Sequence, residues 1–347
     1  MMDRLLRACW REAVDRTPVW FMRQAGRSSP SYRAIRETRG VLEIAKTPKL
    51  AAEVTIEPVR ELGVDAAILF ADLLLPLEAM GMSVRMSPGE GPVVESPIRT
   101  PEDVDRLKPL DPERDLPFVL ETIRRARTKL EVPLIGFAGA PFTVASYLIE
   151  GGPSRDLLAT KRFMNEHAHG WRRLLDLLAE GAAAYIRAQA EAGIQAVQLF
   201  DSWAGVLSPL DYEGKVGPYT RRVFDGIKES GIPSIHFGTG TAGLLESFTR
   251  AGGDVIGIDW RVRIDDAWER IGSDHGIQGN LDPSALLGPP DGWRAPASEI
   301  LDRVEGRAGH IFNLGHGVLP ETPRDRLKAL VEFVHGRARD GRVGGSP

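Results

Sequence analysis

Apolar residues in this chain gather in short continuous runs instead of alternating with polar ones. Eight runs stand out: Val19–Met22, Ala66–Ala71, Pro133–Ala138, Ala196–Phe200, Ser234–Phe237, Val255–Ile258, Ile277–Leu281 and His310–Leu314. A strand with one wet face alternates, whereas a strand covered on both faces does not, so these runs read as parallel strands under helices. Between most of them lie stretches with helical spacing, such as Trp171 to Ala192 and Tyr212 to Glu229. A capping oxygen followed by proline marks helix starts at Thr47-Pro48, Thr100-Pro101, Ser208-Pro209, Asp282-Pro283 and Thr322-Pro323. Eight strand–helix units predict an α/β fold, a single (β/α)8 TIM-type barrel. A doubly wound sheet is the alternative, but it needs no eighth strand and usually has a glycine-rich first turn, which is absent here. Ser83 to Ile98 breaks the alternation. Its centre, Pro88-Gly89-Glu90-Gly91-Pro92, flanked by Val84, Met86, Val93 and Val94, predicts a β-hairpin inserted after strand 2. The barrel is expected to span residues 1–339 as one domain, and the glycine-rich residues 340–347 to form a flexible tail.

Composition narrows the partners. A net charge of −4 gives no electrostatic footprint for nucleic acid, although a local basic pocket can exist in an acidic protein. Cys9 is the only cysteine, which rules out a disulfide within the chain and argues against a thiolate zinc site. Charges interrupt Met1 to Arg16, so no signal-peptide core is present, and no apolar run approaches the length of a membrane span. A cytoplasmic protein without membrane or nucleic-acid partners is expected.

Barrel enzymes do their chemistry at the C-terminal strand ends, so the polar residues just past each run are the candidates. The first run ends in Arg23-Gln24-Ala25-Gly26-Arg27. Glycine at position 26 permits a turn that aims both guanidiniums at one point, and their planar forks match carboxylates. Surface salt bridges are the commoner use of such arginines; the position after a buried strand favours an anion site. The second run gives Asp72 among apolar neighbours, with no local partner evident. An N-cap role is the competing reading, weakened by Pro76, which puts the next helix start too far away. The third is followed by Gly139-Ala140-Pro141-Phe142-Thr143, with Tyr147 one turn later, and the fourth by Asp201-Ser202-Trp203. His236 lies within its run and reads as a core residue. His316, between Gly315 and Gly317, reads as functional. No phosphate loop, His-Glu-x-x-His motif, nucleophile elbow or strand-end lysine is present. Asp72 and His316 are too few for a metal site. Together these groups suit a polyanionic small molecule with one electron-poor or cationic centre.

Two stretches then carry a resemblance. Pro18-Val19-Trp20-Phe21-Met22-Arg23-Gln24-Ala25-Gly26-Arg27 resembles the N-terminal signature of the uroporphyrinogen decarboxylase family, and Gly136-Phe137-Ala138-Gly139-Ala140-Pro141-Phe142-Thr143 its internal signature. Ile68 to Asp72, Gln198 to Ser202, Gln278 to Pro283 and Phe312 to Gly317 are also similar, so the likeness spans nearly the whole chain. One departure is visible: Ser28, Ser29, Pro30 and Ser31 stand where the family usually has an aromatic, Leu, Pro and Glu.

The resemblance implies a cofactor- and metal-independent barrel enzyme, a homodimer, that converts the four acetates of a tetrapyrrole substrate, uroporphyrinogen III, to methyls. It implies catalytic roles for Asp72, Arg23 and Arg27. It implies substrate-binding roles for these three and for Gln24, Ala25, Gly26, Arg36, Tyr147, Ser202 and His316. Zinc-dependent methyltransferases on the same barrel are the runner-up; a lone Cys9 argues against them. A non-catalytic porphyrin carrier is the third reading, disfavoured by the joint presence of Arg23 and Asp72.

Overall fold

The computed structural model describes residues 3–87, 91–152 and 154–340. Seven parallel strands form one sheet: β1 (Ala67–Ile68), β4 (Leu134–Gly139), β5 (Ala196–Phe200), β6 (Ser234–Phe237), β7 (Val255–Gly257), β8 (Gly276–Leu281) and β9 (His310–Leu314). They follow that order around the sheet, with helices between them. The pattern reading thus found the interior strands, whose unbroken burial is complete in β4, β6, β7, β8 and β9. β2 (Val84–Ser87) and β3 (Gly91–Val94) pair antiparallel after β1, where a hairpin was expected; its connecting residues 88–90 lie outside the described residues. The expected tail also lies outside them, except that Asp340 ends helix Arg324–Asp340.

The first expected strand, Val19–Met22, does not form. Only a single parallel bridge, Val19 with Phe312, joins it to β9. The reason lies in where its amides go. Val19 N–H donates to Asp65 Oδ2 at 2.9 Å, Phe21 N–H to Gln24 Oε1 at 3.1 Å and Met22 N–H to Asn313 Oδ1 at 3.4 Å. Side-chain acceptors thus replace the carbonyls of a neighbouring strand, and a ladder cannot propagate. The segment still lies where a strand would: Phe312 N–H donates to Pro18 O at 2.9 Å, and Asp65 N–H donates to Val19 O at 2.8 Å. The second expected strand is also shorter than its apolar run. Phe70 N–H is taken by the Thr55 hydroxyl at 2.9 Å, which ends the pairing soon after Ile68.

The proline-marked helix starts divide by what the preceding side chain does. Ser208 and Asp282 cap as expected, accepting from Asp211 N–H at 3.1 Å and Ser284 N–H at 2.8 Å. The Thr47 hydroxyl instead donates back to Glu43 O at 2.8 Å, Thr100 opens a 3-10 turn, and the helix after Thr322 begins at Arg324.

Beneath the sheet, at the N-terminal side, one carboxylate gathers four elements. Asp65 accepts from Arg4 Nη1 at 2.6 Å, His335 Nε2 at 2.7 Å and Val19 N–H at 2.9 Å, while Arg4 also grips Asp15 at 2.6 and 2.7 Å. Burial pushes the Asp65 pKa up, but the His335 hydrogen bond and charge, the Val19 amide and Arg4 together hold it below the ordinary value.

Removing Asp65 leaves buried Arg4 with Asp15 alone and takes the acceptor from the buried Val19 amide and from His335, so Asp65→Ala should cost about 3–5 kcal/mol in urea unfolding. Because the folded pKa is depressed, the stability Asp65 contributes is complete above the unfolded value of about 4 and is lost as pH falls through the folded value. A melting temperature measured in acid should therefore fall less steeply in Asp65→Asn than in the parent.

Candidate active site

A cavity of about 540 Å³ opens at the C-terminal ends of the strands. Its wall includes eight of the ten residues singled out above: Arg23, Ala25, Gly26, Arg27, Asp72, Tyr147, Ser202 and His316. Gln24 and Arg36 are not in the wall. Gln24 is fully buried behind it, donating from Nε2 to Ala66 O at 3.0 Å. Arg36, half-buried at the end of the short helix Pro30–Arg36, donates to the Arg39 carbonyl.

The turn after Met22 is made differently from expectation. Arg23, not Gly26, takes the left-handed backbone conformation, with φ of 60°. That geometry is costly for a residue with a Cβ and is held from both sides. Val318 N–H donates to Met22 O at 2.8 Å, and a Cβ at Gly317 would sit 2.5 Å from Arg23 Cδ. Gly317 is therefore bare so that the arginine stem can lie across it. Gly26 serves close approach: a Cβ there would meet the Arg23 carbonyl oxygen at 3.0 Å. Both guanidiniums are exposed, and among the described residues neither Arg23 nor Arg27 has an ion-pair partner.

Asp72 sits at the cavity wall, and one of its oxygens has a local partner after all: Oδ1 accepts from Leu74 N–H at 2.9 Å, in the turn before helix Leu75–Ala79. The side chain makes no ion pair among the described residues. Burial raises its pKa; the Leu74 amide and Arg23 pull the other way, and Glu78 adds to the rise. It is a carboxylate partly stripped of water that meets cationic charge only across the cavity.

The other polar groups are neutral donors. Burial and then the Asp72 charge push the Tyr147 phenol up to about 12, and its ring lies 4.0 Å from that of Trp203. Burial and then Arg23 push the His316 imidazole down to about 4. Its Nδ1 accepts from Gly317 N–H at 2.6 Å, so at neutral pH the remaining proton sits on Nε2, which is left as the donor.

The strand-end reading missed the apolar part of the site. Phe137, Phe200 and Phe237, from the ends of β4, β5 and β6, form an edge-to-face series with centroids 5.6 and 5.9 Å apart, and Phe237 continues to His316 at 6.5 Å. The signal was present: an aromatic closes or nearly closes three successive apolar runs. A reading confined to the polar residues past each run passes over them. Asp201, which the strand-end pattern places at the mouth, lies elsewhere. It is fully buried, accepting from Thr143 and Tyr212 hydroxyls at 3.2 Å each, and so braces the wall from behind. His236 is a core residue as expected, stacked on Phe248 at 4.0 Å, although its Nε2 has no hydrogen-bond partner among the described residues.

This arrangement can bind several carboxylates at a rim, seat a flat apolar body against phenyl rings, and place one unpaired carboxylate against a developing positive charge. Among the described residues no three of His, Cys, Asp and Glu converge as a metal site requires.

Comparison with known proteins agrees with the resemblance. Residues 1–337 match the profile of the family described as uroporphyrinogen decarboxylase (URO-D). The chain is 54% identical over 337 residues to the uroporphyrinogen decarboxylase of Carboxydothermus hydrogenoformans, covering 96% of each chain. It is 52% identical over 341 residues to that of Sorangium cellulosum, covering 98% of this chain and 97% of the relative. Among solved structures, a methyltransferase from Methanosarcina mazei superposes with a TM-score of 0.79 over 99% of both chains at 23% identity, a likeness of fold. The chain belongs to the uroporphyrinogen decarboxylase family.

Gly317→Ala should leave the fold intact and displace the Arg23 stem. Titration of the variant with a polycarboxylate ligand should show affinity lowered about tenfold, the scale of one charge-assisted hydrogen bond lost.

Proposed function

We propose that this chain removes the carboxyl groups of the four acetate side chains of uroporphyrinogen III, giving coproporphyrinogen III in haem and porphyrin biosynthesis. Family membership over nearly the full chain supports the reaction. The observation that carries the mechanism is Asp72, a largely desolvated carboxylate without an ion-pair partner among the described residues, in the wall of a cavity that also holds two arginines without one among those residues.

Decarboxylation needs a place for the electron pair of the breaking C–C bond. Protonation of a pyrrole carbon turns the ring into a conjugated cation. As carbon dioxide leaves, the pair moves into that ring through an exocyclic double bond; protonation of the exocyclic carbon completes the methyl group, and loss of the proton first added to the ring carbon restores the neutral pyrrole. The substrate is its own electron sink, so the reading calls for no cofactor or metal. Asp72 accepts pyrrole N–H hydrogen bonds at the macrocycle centre and faces the cation as it forms. At ~4 Å and an effective dielectric of ~20 such a pair is worth ~4 kcal/mol, roughly a thousandfold in rate if realised only in the transition state. Arg23 and Arg27 bind substrate carboxylates, with Ala25 and Gly26 forming the floor of the same loop. Tyr147, Ser202 and neutral His316 donate hydrogen bonds around the rim, and the three phenylalanines support the macrocycle face. In this reading Gln24 acts from behind the wall, and Arg36 reaches a substrate carboxylate by leaving the Arg39 carbonyl.

The same reading makes residues 1–339 one (β/α)8 barrel with a hairpin insertion after strand 2, and the segment 18–22 the eighth stave. The backbone hydrogen bonds of that segment to Phe312 and Asp65 support it. It also has the protein working in the cytoplasm as a homodimer; no helix among the described residues is long and apolar enough to cross a membrane.

Chelator-treated protein incubated anaerobically with reduced uroporphyrinogen should yield products with seven, six, five and finally four carboxyls. Products unchanged in carboxyl count would sink the reading. Asp72→Asn should fold and bind substrate, with kcat lower by about a thousandfold. Since the Asp72 pKa is raised, the ionised form disappears as pH falls through a value above the ordinary ~3.9. The acid limb of kcat/KM in the parent should report that value.

A further inference from the structure

Arg324 opens the helix Arg324–Asp340, and its side chain is only 10% exposed. Nε lies 3.1 Å from both carboxylate oxygens of Glu61, on helix Pro48–Leu62, and Nη2 pairs with the same group. An arginine joining two helices is ordinarily a strut. Here a third bond changes its meaning: Nη1 donates to the carbonyl of Gln24 at 2.8 Å.

Gln24 lies directly after Arg23 and three residues before Arg27. Its side chain is already tied at both ends, accepting from Phe21 N–H at 3.1 Å and donating to Ala66 O at 3.0 Å. With its carbonyl held as well, the residue is fixed in side chain and backbone alike. Among the described residues neither arginine beside it has an ion-pair partner; Val318 and Gly317 hold the Arg23 side of the turn, and the Gln24 carbonyl is the point between the two arginines that a charged side chain grips. Arg23 moreover sits in a left-handed conformation that a free turn would leave.

We propose that Arg324, oriented by Glu61, is a positioning residue. It pins the Gln24 carbonyl so that Arg23 and Arg27 meet substrate carboxylates already set, without the ordering cost a loose loop incurs on binding. The kinetic part rests on the decarboxylation reading above; the geometric part does not.

Three variants test it: Arg324→Met, which keeps bulk and removes the donors, Arg324→Lys, which keeps one charged donor, and Glu61→Gln, which keeps the shape of the acceptor. In substrate-free protein, hydrogen exchange at the amides of residues 23–27 should quicken by about tenfold in Arg324→Met while the rest of both helices keeps its protection. KM for uroporphyrinogen should rise by about tenfold with kcat within about twofold, the pattern of lost uniform binding. Arg324→Lys should recover part of both effects. Should Arg324→Met fail to fold, Glu61→Gln carries the same measurements with smaller expected shifts. Unchanged exchange at 23–27 overturns the proposal, as does a loss confined to kcat. If exchange quickens while the parent leaves uroporphyrinogen untouched, the decarboxylation reading fails and the pin stands.

Discussion

The chain from Pro18 to Gln24 is held between β9 and Asp65 by side chains in place of a strand ladder. Asp65, Gln24 and Asn313 each take one of its amides, and Phe312 takes part through its backbone. Buried amides must find acceptors somewhere, and here the acceptors come from several different parts of the chain. One segment thereby fills the gap beside β9, anchors to the charged cluster beneath, and delivers Arg23 to the mouth above. Stability and function meet in seven residues.

The charge arrangement follows from that placement. Below the sheet, Asp65 is buried with Arg4 and His335 pressed against it, and its pKa is depressed. Asp72, just past β1, has no such company, and its pKa is raised. Two carboxylates seven positions apart are driven in opposite directions by their surroundings. The paired one contributes to stability; in the proposed reaction the other, unpaired among the described residues, is the one that faces the ligand. The proposed reaction depends on that separation, since a carboxylate satisfied by its own protein has little to offer a developing cation.

The residues around Asp72 complete a division of labour. The cavity wall combines two arginines without ion-pair partners among the described residues, neutral donors and three phenyl rings packed edge to face. His316 is neutral because burial and Arg23 both disfavour its charged form, so it adds a hydrogen-bond donor and no second positive charge close to Asp72. The loop that carries the arginines is short, and its geometry is set from outside by Gly317, Val318 and Arg324.

Local pattern by itself determined much of this protein. Continuous apolar runs mark strands buried on both faces, and that property belongs to the residues themselves; β4 through β9 therefore lie where the runs lie. The candidates Arg23, Arg27, Asp72, Tyr147, Ser202 and His316 were legible because strand ends in such a fold converge on one mouth. Tertiary structure decided what depends on partners far along the chain. Whether Val19–Met22 becomes a strand turns on Asp65 and Asn313. Whether Gly26 or Arg23 carries the unusual backbone turns on Gly317, nearly three hundred residues away. Whether a carboxylate is paired, as Asp65 is, or left open, as Asp72 is, turns on which helix packs beside it. Spacing along a sequence records local conformational preference; it holds no record of the long-range acceptors and counter-charges that settle where each amide and each proton goes.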